Sequence, residues 1–233
     1  MNRAMAVVLG IMLTCPAWAE DKSQYTLFNP TPKELMREMS TDRPDKTESP
    51  YTVDAGHYQI EMSVTDYEYD HEIGNDVDHR TQTWTVAPVN LKVGLCNYSD
   101  IQFVFEPYVI EETDGIDSSR KDGFGDIQTR LKINLWGNDG GDTAMALMPY
   151  VKFPTNSDDL GNDDVEGGLI VPIAFALPNE WNMGLMAEID INHDVSSTGY
   201  HAELIHSITF SHAIVGDLSG YIEFFHQDSL EAK

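Results

Sequence analysis

The sequence predicts an all-β fold, specifically an antiparallel up-and-down transmembrane β-barrel. The clearest sign is alternation over residues 126–135, where Ile127, Thr129, Leu131, Ile133 and Leu135 occupy every second position. Arg130 and Lys132 lie between them on the polar face. A period of two indicates an extended strand with one apolar and one polar face. About ten residues are enough for a tilted strand to cross a bilayer, and the same alternation recurs along the chain.

An export signal is the second observation behind this prediction. Residues 1–19 combine Arg3, an apolar run over residues 4–13 and the small-residue site Ala17-Trp18-Ala19. This arrangement is typical of a cleaved secretory signal peptide, since the apolar run is far shorter than the roughly 20 residues of a membrane-spanning helix. No later segment approaches such a helix. The mature chain is therefore expected either to be soluble in an exported compartment or to cross the outer membrane as a barrel.

Composition restricts the partners of the chain. Its formal net charge is −25 and its pI is near 4.3, which argues against nucleic acid because the phosphates would be repelled. The same charge argues against peripheral binding to anionic lipid. Removal of the signal peptide leaves Cys96 as the single cysteine, so a small disulfide-stapled domain is excluded.

Residues 20–53 differ from the rest and predict a periplasmic lead-in to a barrel domain over residues 54–233. Thr31-Pro32-Lys33-Glu34 has the pattern of a helix start, with Thr31 as N-cap. It predicts a short helix to about residue 39. Residues 40–50 are polar, contain Pro44 and Pro50 and show no period, which predicts an extended segment.

Alternation after residue 54 predicts about nine strands. They cover residues 57–65, 81–95, 101–109, 126–135, 143–153, 168–177, 185–192, 200–212 and 218–225. Short turns are expected at residues 96–100, 137–142, 178–182 and 213–217. Longer acidic loops are expected at residues 70–79, 111–125 and 154–166, with a shorter one at residues 193–199. Short turns at one end and longer loops at the other are typical of outer-membrane barrels. Aromatic residues near the strand ends suit interfacial girdles: Trp84, Tyr108, Trp136, Tyr150, Trp181 and Tyr200.

The odd number of strands leads to a further expectation. Bacterial single-chain barrels have an even number of strands, whereas residues 228–233 contain no final amphipathic strand. We therefore expect C-terminal strands to be missing, and a closed barrel to require about ten to twelve strands.

Several stretches carry a resemblance to a known family. They are residues 28–39 (F-N-P-T-P-K-E-L-M-R-E-M), 40–57 (S-T-D-R-P-D-K-T-E-S-P-Y-T-V-D-A-G-H), 87–92 (A-P-V-N-L-K), 105–108 (F-E-P-Y), 123–126 (G-F-G-D) and 216–220 (G-D-L-S-G). Through them the chain resembles the meta-pathway phenol-degradation family of Gram-negative outer-membrane proteins, often labelled as transporters. The resemblance extends to about residue 225 and implies a barrel of roughly twelve strands.

The resemblance also implies a function. It suggests an outer-membrane channel or transporter for a small solute, aromatic or hydrophobic, with outer-membrane lipid as a partner. It supplies no catalytic residues and no cofactor, so neither is expected.

Nine charged residues on the predicted inward face form the candidate site. They are Lys92, Glu106, Asp126, Arg130, Lys132, Lys152, Glu188, Asp190 and Glu203. They would line a polar pore whose mixed charges steer a small solute, or they would pair across strands and fill a narrow lumen. Both alternatives stay open, because pairing depends on a register that the sequence does not give.

Three other functions are less favoured. A divalent cation could use the acidic loop with Asp158, Asp159, Asp163, Asp164 and Glu166, but the loop has no EF-hand spacing and a solvated, self-repelling loop is favoured. A hydrolase could use His201, His206, Ser207, Ser211 and Asp190. However, His206 has the opposite parity to Ser207, and no G-x-S-x-G occurs. The third is a non-conducting structural or adhesion barrel that acts through its loops.

Overall fold

The computed structural model describes residues 21–74, 77–115, 118–194, 199–216 and 218–230. The predicted signal peptide, residues 1–19, lies outside the described residues. These residues contain thirteen strands: β1 (Tyr58–Met62), β2 (Thr65–Gly74), β3 (Val77–Val86), β4 (Val89–Cys96), β5 (Ser99–Phe105), β6 (Tyr108–Asp114), β7 (Ser119–Gly123), β8 (Ile127–Trp136), β9 (Thr143–Phe153), β10 (Glu166–Ala176), β11 (Trp181–His193), β12 (Tyr200–Val215) and β13 (Leu218–Ser229). No helix in the described ranges has the length and apolar character needed to cross a membrane.

The all-β antiparallel prediction is confirmed. Nine strands form one sheet in the order β1-β4-β5-β8-β9-β10-β11-β12-β13, and the other four form a sheet in the order β2-β3-β6-β7. Every strand pair among the described residues is antiparallel. Over the described residues the larger sheet is open, with β1 and β13 at its edges. A closed barrel of ten to twelve strands therefore stays a prediction.

A line of strand breaks separates the two sheets. β1 leads into β2, β3 into β4, β5 into β6 and β7 into β8 after two or three residues outside strands. Backbone hydrogen bonds join neighbouring passes of the chain along this line, from Ala87 N to Val64 O at 3.1 Å and from Gly125 N to Glu106 O at 3.0 Å. Pro88 cannot donate to a strand ladder, and Ala87 has a φ of 51°. The thirteen strands thus form nine successive passes of the chain, the number that alternation predicts.

Two predicted loops and one predicted helix differ from the structure. Residues 70–79 and 111–125, expected as acidic loops, lie largely in the β2–β3 and β6–β7 hairpins. In β2 the acidic residues Asp66, Glu68 and Asp70 alternate with Tyr67 and Tyr69. The Tyr67 ring packs on Trp84 of the paired strand with ring centroids 4.5 Å apart, which favours strand pairing over a solvated loop. Where a helix to residue 39 was expected, there is only a 3-10 turn, Lys33–Leu35, without a side-chain cap.

The nine-stranded sheet has one polar face and one apolar face. Directly paired residues share a face, and one row of pairs crosses eight strands: Gln59, Lys92, Gln102, Arg130, Tyr150, Gly168, Asp190 and Glu203. The polar face is largely buried, with Lys132 and Gln102 at 0% exposure. It also carries a small apolar cluster of Met148, Ile170, Met186 and Ile205.

The apolar face has the opposite exposure. Ile60 is 59% exposed and Phe224 65% exposed, and the face also carries Val151, Phe153, Ile191 and Ile222. His206 and His226, which pair with each other in the β12–β13 register, are polar exceptions on this face. The sheet therefore buries its charges and exposes its apolar side chains.

Candidate functional site

Residues 40–54, here called the covering segment, lie against the polar face of the larger sheet. The segment carries Pro44 and Pro50, which favour an extended chain that does not join a strand ladder. It is attached mainly through short polar groups: the Thr47 and Ser207 hydroxyls lie 2.7 Å apart, Asn134 Nδ2 donates to Pro50 O at 2.9 Å, and Val53 N donates to Asp100 Oδ2 at 2.9 Å. The segment thereby contacts β5, β8 and β12.

The Asp42 carboxylate is the centre of the buried charges. Lys132 Nζ donates to Asp42 Oδ1 and Oδ2, both at 2.9 Å, and Lys92 Nζ donates to both Asp42 and Glu61. Asp42 is 6% exposed. Burial alone would raise the pKa of Asp42, but Lys132 and Lys92 outweigh it and hold that pKa well below its usual range. At neutral pH the segment is therefore fixed by a charged carboxylate between two ammonium groups.

A second ion pair joins the covering segment to β8. Arg130 Nη1 donates to Glu48 Oε1 at 2.6 Å, and Arg130 Nε donates to Gln128 Oε1 at 2.8 Å. Within the described residues Glu48 Oε2 is buried and has no hydrogen-bond partner. Burial raises the pKa of Glu48 to about 7, with Asp42 adding to the rise and Arg130 opposing it. One oxygen of Glu48 is thus held, while the other is available to a donor.

Asp126 organises the long loop at residues 154–165. Its Oδ1 accepts from Thr155 N at 3.0 Å and from Asn156 N at 3.1 Å, and its Oδ2 accepts from Asn162 N at 2.7 Å. Lys152 Nζ lies 3.7 Å from Asp126 Oδ2. These contacts fold the acidic loop back over the end of β8, so Asp126 acts as a local structural centre.

Asp190, Glu203 and Glu106 make no hydrogen bond or ion pair with Asp42 or Asp126 in the described part of the chain. Asp190 accepts from the Tyr150 hydroxyl, and Glu203 accepts from Asn192 Nδ2 at 3.1 Å and from Gln227 Nε2 at 2.9 Å. Glu106 lies at the line of strand breaks, where a Cβ at Gly125 would come within 2.5 Å of its Oε2. The structure therefore divides the predicted set into smaller groups along one face of the sheet.

A cavity, here called the acidic cavity, lies between the covering segment and the sheet. Its volume is about 520 Å³. Its lining includes Glu48, Asn90, Arg130, Ile170, Glu188, Asp190 and Ile205. Three of the nine predicted site residues, Arg130, Glu188 and Asp190, meet here. Of the others, Lys92 and Lys132 contact Asp42, which also lines the cavity.

The hydrolase arrangement is not assembled in the structure. The Ser207 hydroxyl contacts Thr47, and His201 Nδ1 lies 2.9 Å from Asp194 Oδ1. Ser207 and His201 are six residues apart on β12, which corresponds to about 20 Å along a strand. Among the described residues no group of three His, Cys, Asp or Glu side chains is placed to hold a metal ion.

Sequence reasoning missed the covering segment. Asp42, Thr47 and Glu48 lie in residues 40–50, where no period identifies a partner. One signal was available: Lys92, Arg130 and Lys132 on one face need anions if that face is buried, and the charged stretch before the first strand contains such anions. The sequence alone could not show that the segment returns to this face.

Comparison with known proteins gives one match. A family model described as "Putative MetA-pathway of phenol degradation" matches residues 41–231. No curated protein matches the chain, and no solved structure matches it. The matched range includes the covering segment from residue 41 and every strand.

Proposed function

Since this chain belongs to the phenol-degradation family, we propose that it is an outer-membrane channel or transporter for a small solute, aromatic or hydrophobic, rather than an enzyme. The observation that carries the proposal is the inverted polarity of the larger sheet. Lys92 and Lys132 are 2% and 0% exposed, whereas Ile60 and Phe224 are 59% and 65% exposed. A water-soluble protein has no reason to expose so large an apolar face, while a membrane barrel has a polar interior and an apolar exterior.

Aromatic side chains at the strand ends support the same proposal. Trp136 and Trp181 lie beside short turns, and Tyr67, Trp84 and Tyr200 lie toward the other end of the strands. All five are exposed. Amphipathic rings at two levels are what membrane interfaces favour. In the proposed protein, outer-membrane lipid contacts the apolar face, and solute passes along the polar face.

Location is the first test. Expressed with its own leader, the complete barrel is expected to fractionate with the outer membrane and to migrate differently in gels before and after heating, because a membrane barrel resists detergent until it is heated. Recovery in the soluble periplasm would contradict the proposal. Refolded protein in liposomes should then conduct ions and admit small aromatic solutes.

A second candidate is a non-conducting barrel, and the covering segment favours it. Its Asp42 and Glu48 neutralise cations that would otherwise face the lumen, so the interior is at least partly filled. Single-channel recording separates the two candidates. A correctly inserted protein that never conducts, even when the segment is loosened, would be a structural barrel.

A further inference from the structure

The acidic cavity has the volume and the partly apolar lining of a small-molecule site. Its volume of about 520 Å³ is within the range of roughly 300–1,000 Å³ typical of ligand pockets. Val104, Ile170 and Ile205 give its wall an apolar part. Ile170 and Ile205 belong to the buried apolar cluster, at 2% and 7% exposure. An apolar body of benzyl size could therefore rest on these side chains.

Two hydrogen-bond acceptors in the cavity have no partner among the described residues. One is Glu48 Oε2 and the other is Asn90 Oδ1. Asn90 is 5% exposed, and its amide nitrogen donates to Gln102 Oε1 at 3.2 Å, which leaves the oxygen unused. Buried acceptors without a donor are costly, so both point to a ligand that donates hydrogen bonds.

The carboxyls of Glu188 and Asp190 lie in the same cavity without an ion pair of their own in the described part of the chain. They are two residues apart on β11 and therefore share a face. Arg130 lines the same cavity, but it is already bound by Glu48 and Gln128.

The other two cations of the cavity wall are also engaged. Arg43 pairs with Asp66 at 3.1 Å, and Lys46 lies over the Phe225 ring at 5.5 Å from its centroid. The cations of the wall thus have partners, while two acceptors, Glu48 Oε2 and Asn90 Oδ1, have none among the described residues. The missing charge is positive.

We propose that the acidic cavity binds a small organic ammonium ion, with its cationic head between Glu48, Glu188 and Asp190 and its apolar body against Ile170 and Ile205. A metal ion is less suitable, because no described group of three acidic, His or Cys side chains is placed to hold one. The proposal rests on the channel function proposed above and adds a substrate class to it.

Calorimetry on refolded protein in detergent tests the site without requiring transport. The probes are benzylammonium and its neutral analogue benzyl alcohol, at neutral pH. Benzylammonium is expected to bind about tenfold more tightly, because a cation next to the carboxyls favours their ionised forms and its hydrogen bonds are then charge-assisted. The variant Glu188→Gln with Asp190→Asn should lose this preference and keep its affinity for benzyl alcohol. Equal affinities for the two probes in the unmodified protein would overturn the proposal, and this comparison needs no variant.

A matched control is Glu203→Gln, which removes another carboxylate from the same face outside the lining of the cavity. It should retain the preference for benzylammonium, and equal loss in both variants would overturn the assignment to this cavity.

Gel migration before and after heating checks that each variant folds. Conductance in liposomes is measured separately. Conduction without ammonium preference defeats the site alone, and ammonium binding without conduction defeats the channel alone.

Discussion

At the scale of single residues, Asp42 is the anion that two buried ammonium groups share. Lys92 and Lys132 are 2% and 0% exposed, so loss of the carboxylate would leave buried charges without compensation. Asp42→Asn is expected to lower the free energy of unfolding by about 3–5 kcal/mol, measured by urea titration of refolded protein. Asp66→Asn is the control: it breaks a half-exposed pair with Arg43 and should cost below about 1 kcal/mol. Equal losses would contradict the role of Asp42.

The same carboxylate predicts a dependence on pH. The pKa of Asp42 is lowered from its ordinary value of 3.8 because Lys132 and Lys92 outweigh the effect of burial. A group with a lowered folded-state pKa stabilises the fold fully above its ordinary pKa, and the contribution is lost as pH falls toward the folded-state pKa. The difference in stability between wild type and Asp42→Asn should therefore be complete at about pH 6 and shrink below about pH 4. A difference that stays constant down to about pH 2 would argue against this explanation.

Ala187 reports which medium contacts the apolar face. It lies midway along β11 and is exposed, so Ala187→Arg removes almost no packing. In water the change would be nearly neutral, within about 0.5 kcal/mol, whereas in a bilayer it should destabilise by about 2–4 kcal/mol. The control is Asn192→Arg on the opposite face, beside the Glu203 carboxylate. Unfolding in liposomes measures both, and a neutral Ala187→Arg would mean that lipid does not cover this face.

At the scale of elements, an experiment can test whether the covering segment blocks the path of ions along the polar face. The Thr47 and Ser207 hydroxyl oxygens lie 2.7 Å apart, so these two positions are chosen for a cysteine cross-link, whose formation is checked by thiol titration. In a Cys96→Ser background, Thr47→Cys with Ser207→Cys is expected to give low conductance when oxidised and higher conductance when reduced, because only the reduced segment can leave the sheet. Single-channel recording before and after reductant measures the change.

Controls separate the cross-link from the substitutions. Thr47→Cys alone, again with Cys96→Ser, should show no response to oxidation. If the oxidised and reduced double variants conduct equally, the covering segment does not control passage, and the route of the solute must lie elsewhere on the polar face.

At the scale of the whole molecule, the sequence was most informative where local pattern and global fold coincide. Residues 126–135 alternate strictly, and β8 spans Ile127–Trp136, because a sheet with one face buried fixes the identity of every second residue. Alternation along a strand cannot predict the contacts of the covering segment. Thr47 and Ser207 are 160 residues apart, and no local period encodes their meeting.

The hairpins show a different kind of failure. Residues 70–79 are rich in acidic residues, and their composition suggests a loop, although residues 70–74 and 77–79 pair regularly between β2 and β3. An acidic composition indicates that a segment is exposed to solvent, but it does not show whether the backbone forms a strand or a loop. Two-sided exposure removes the apolar alternation by which a strand is recognised.

The line of strand breaks gives the molecule a modular construction. On one side of it, nine strands form a single paired sheet, and on the other side the β2–β3 and β6–β7 hairpins form a sheet of their own. Pro88 and Pro107 lie at this boundary and interrupt the ladder, so a change in hairpin length need not shift the pairing beneath. The two hairpins can therefore be exchanged or extended as separate parts, and a binding loop grafted at their tips would leave the wall of the sheet intact.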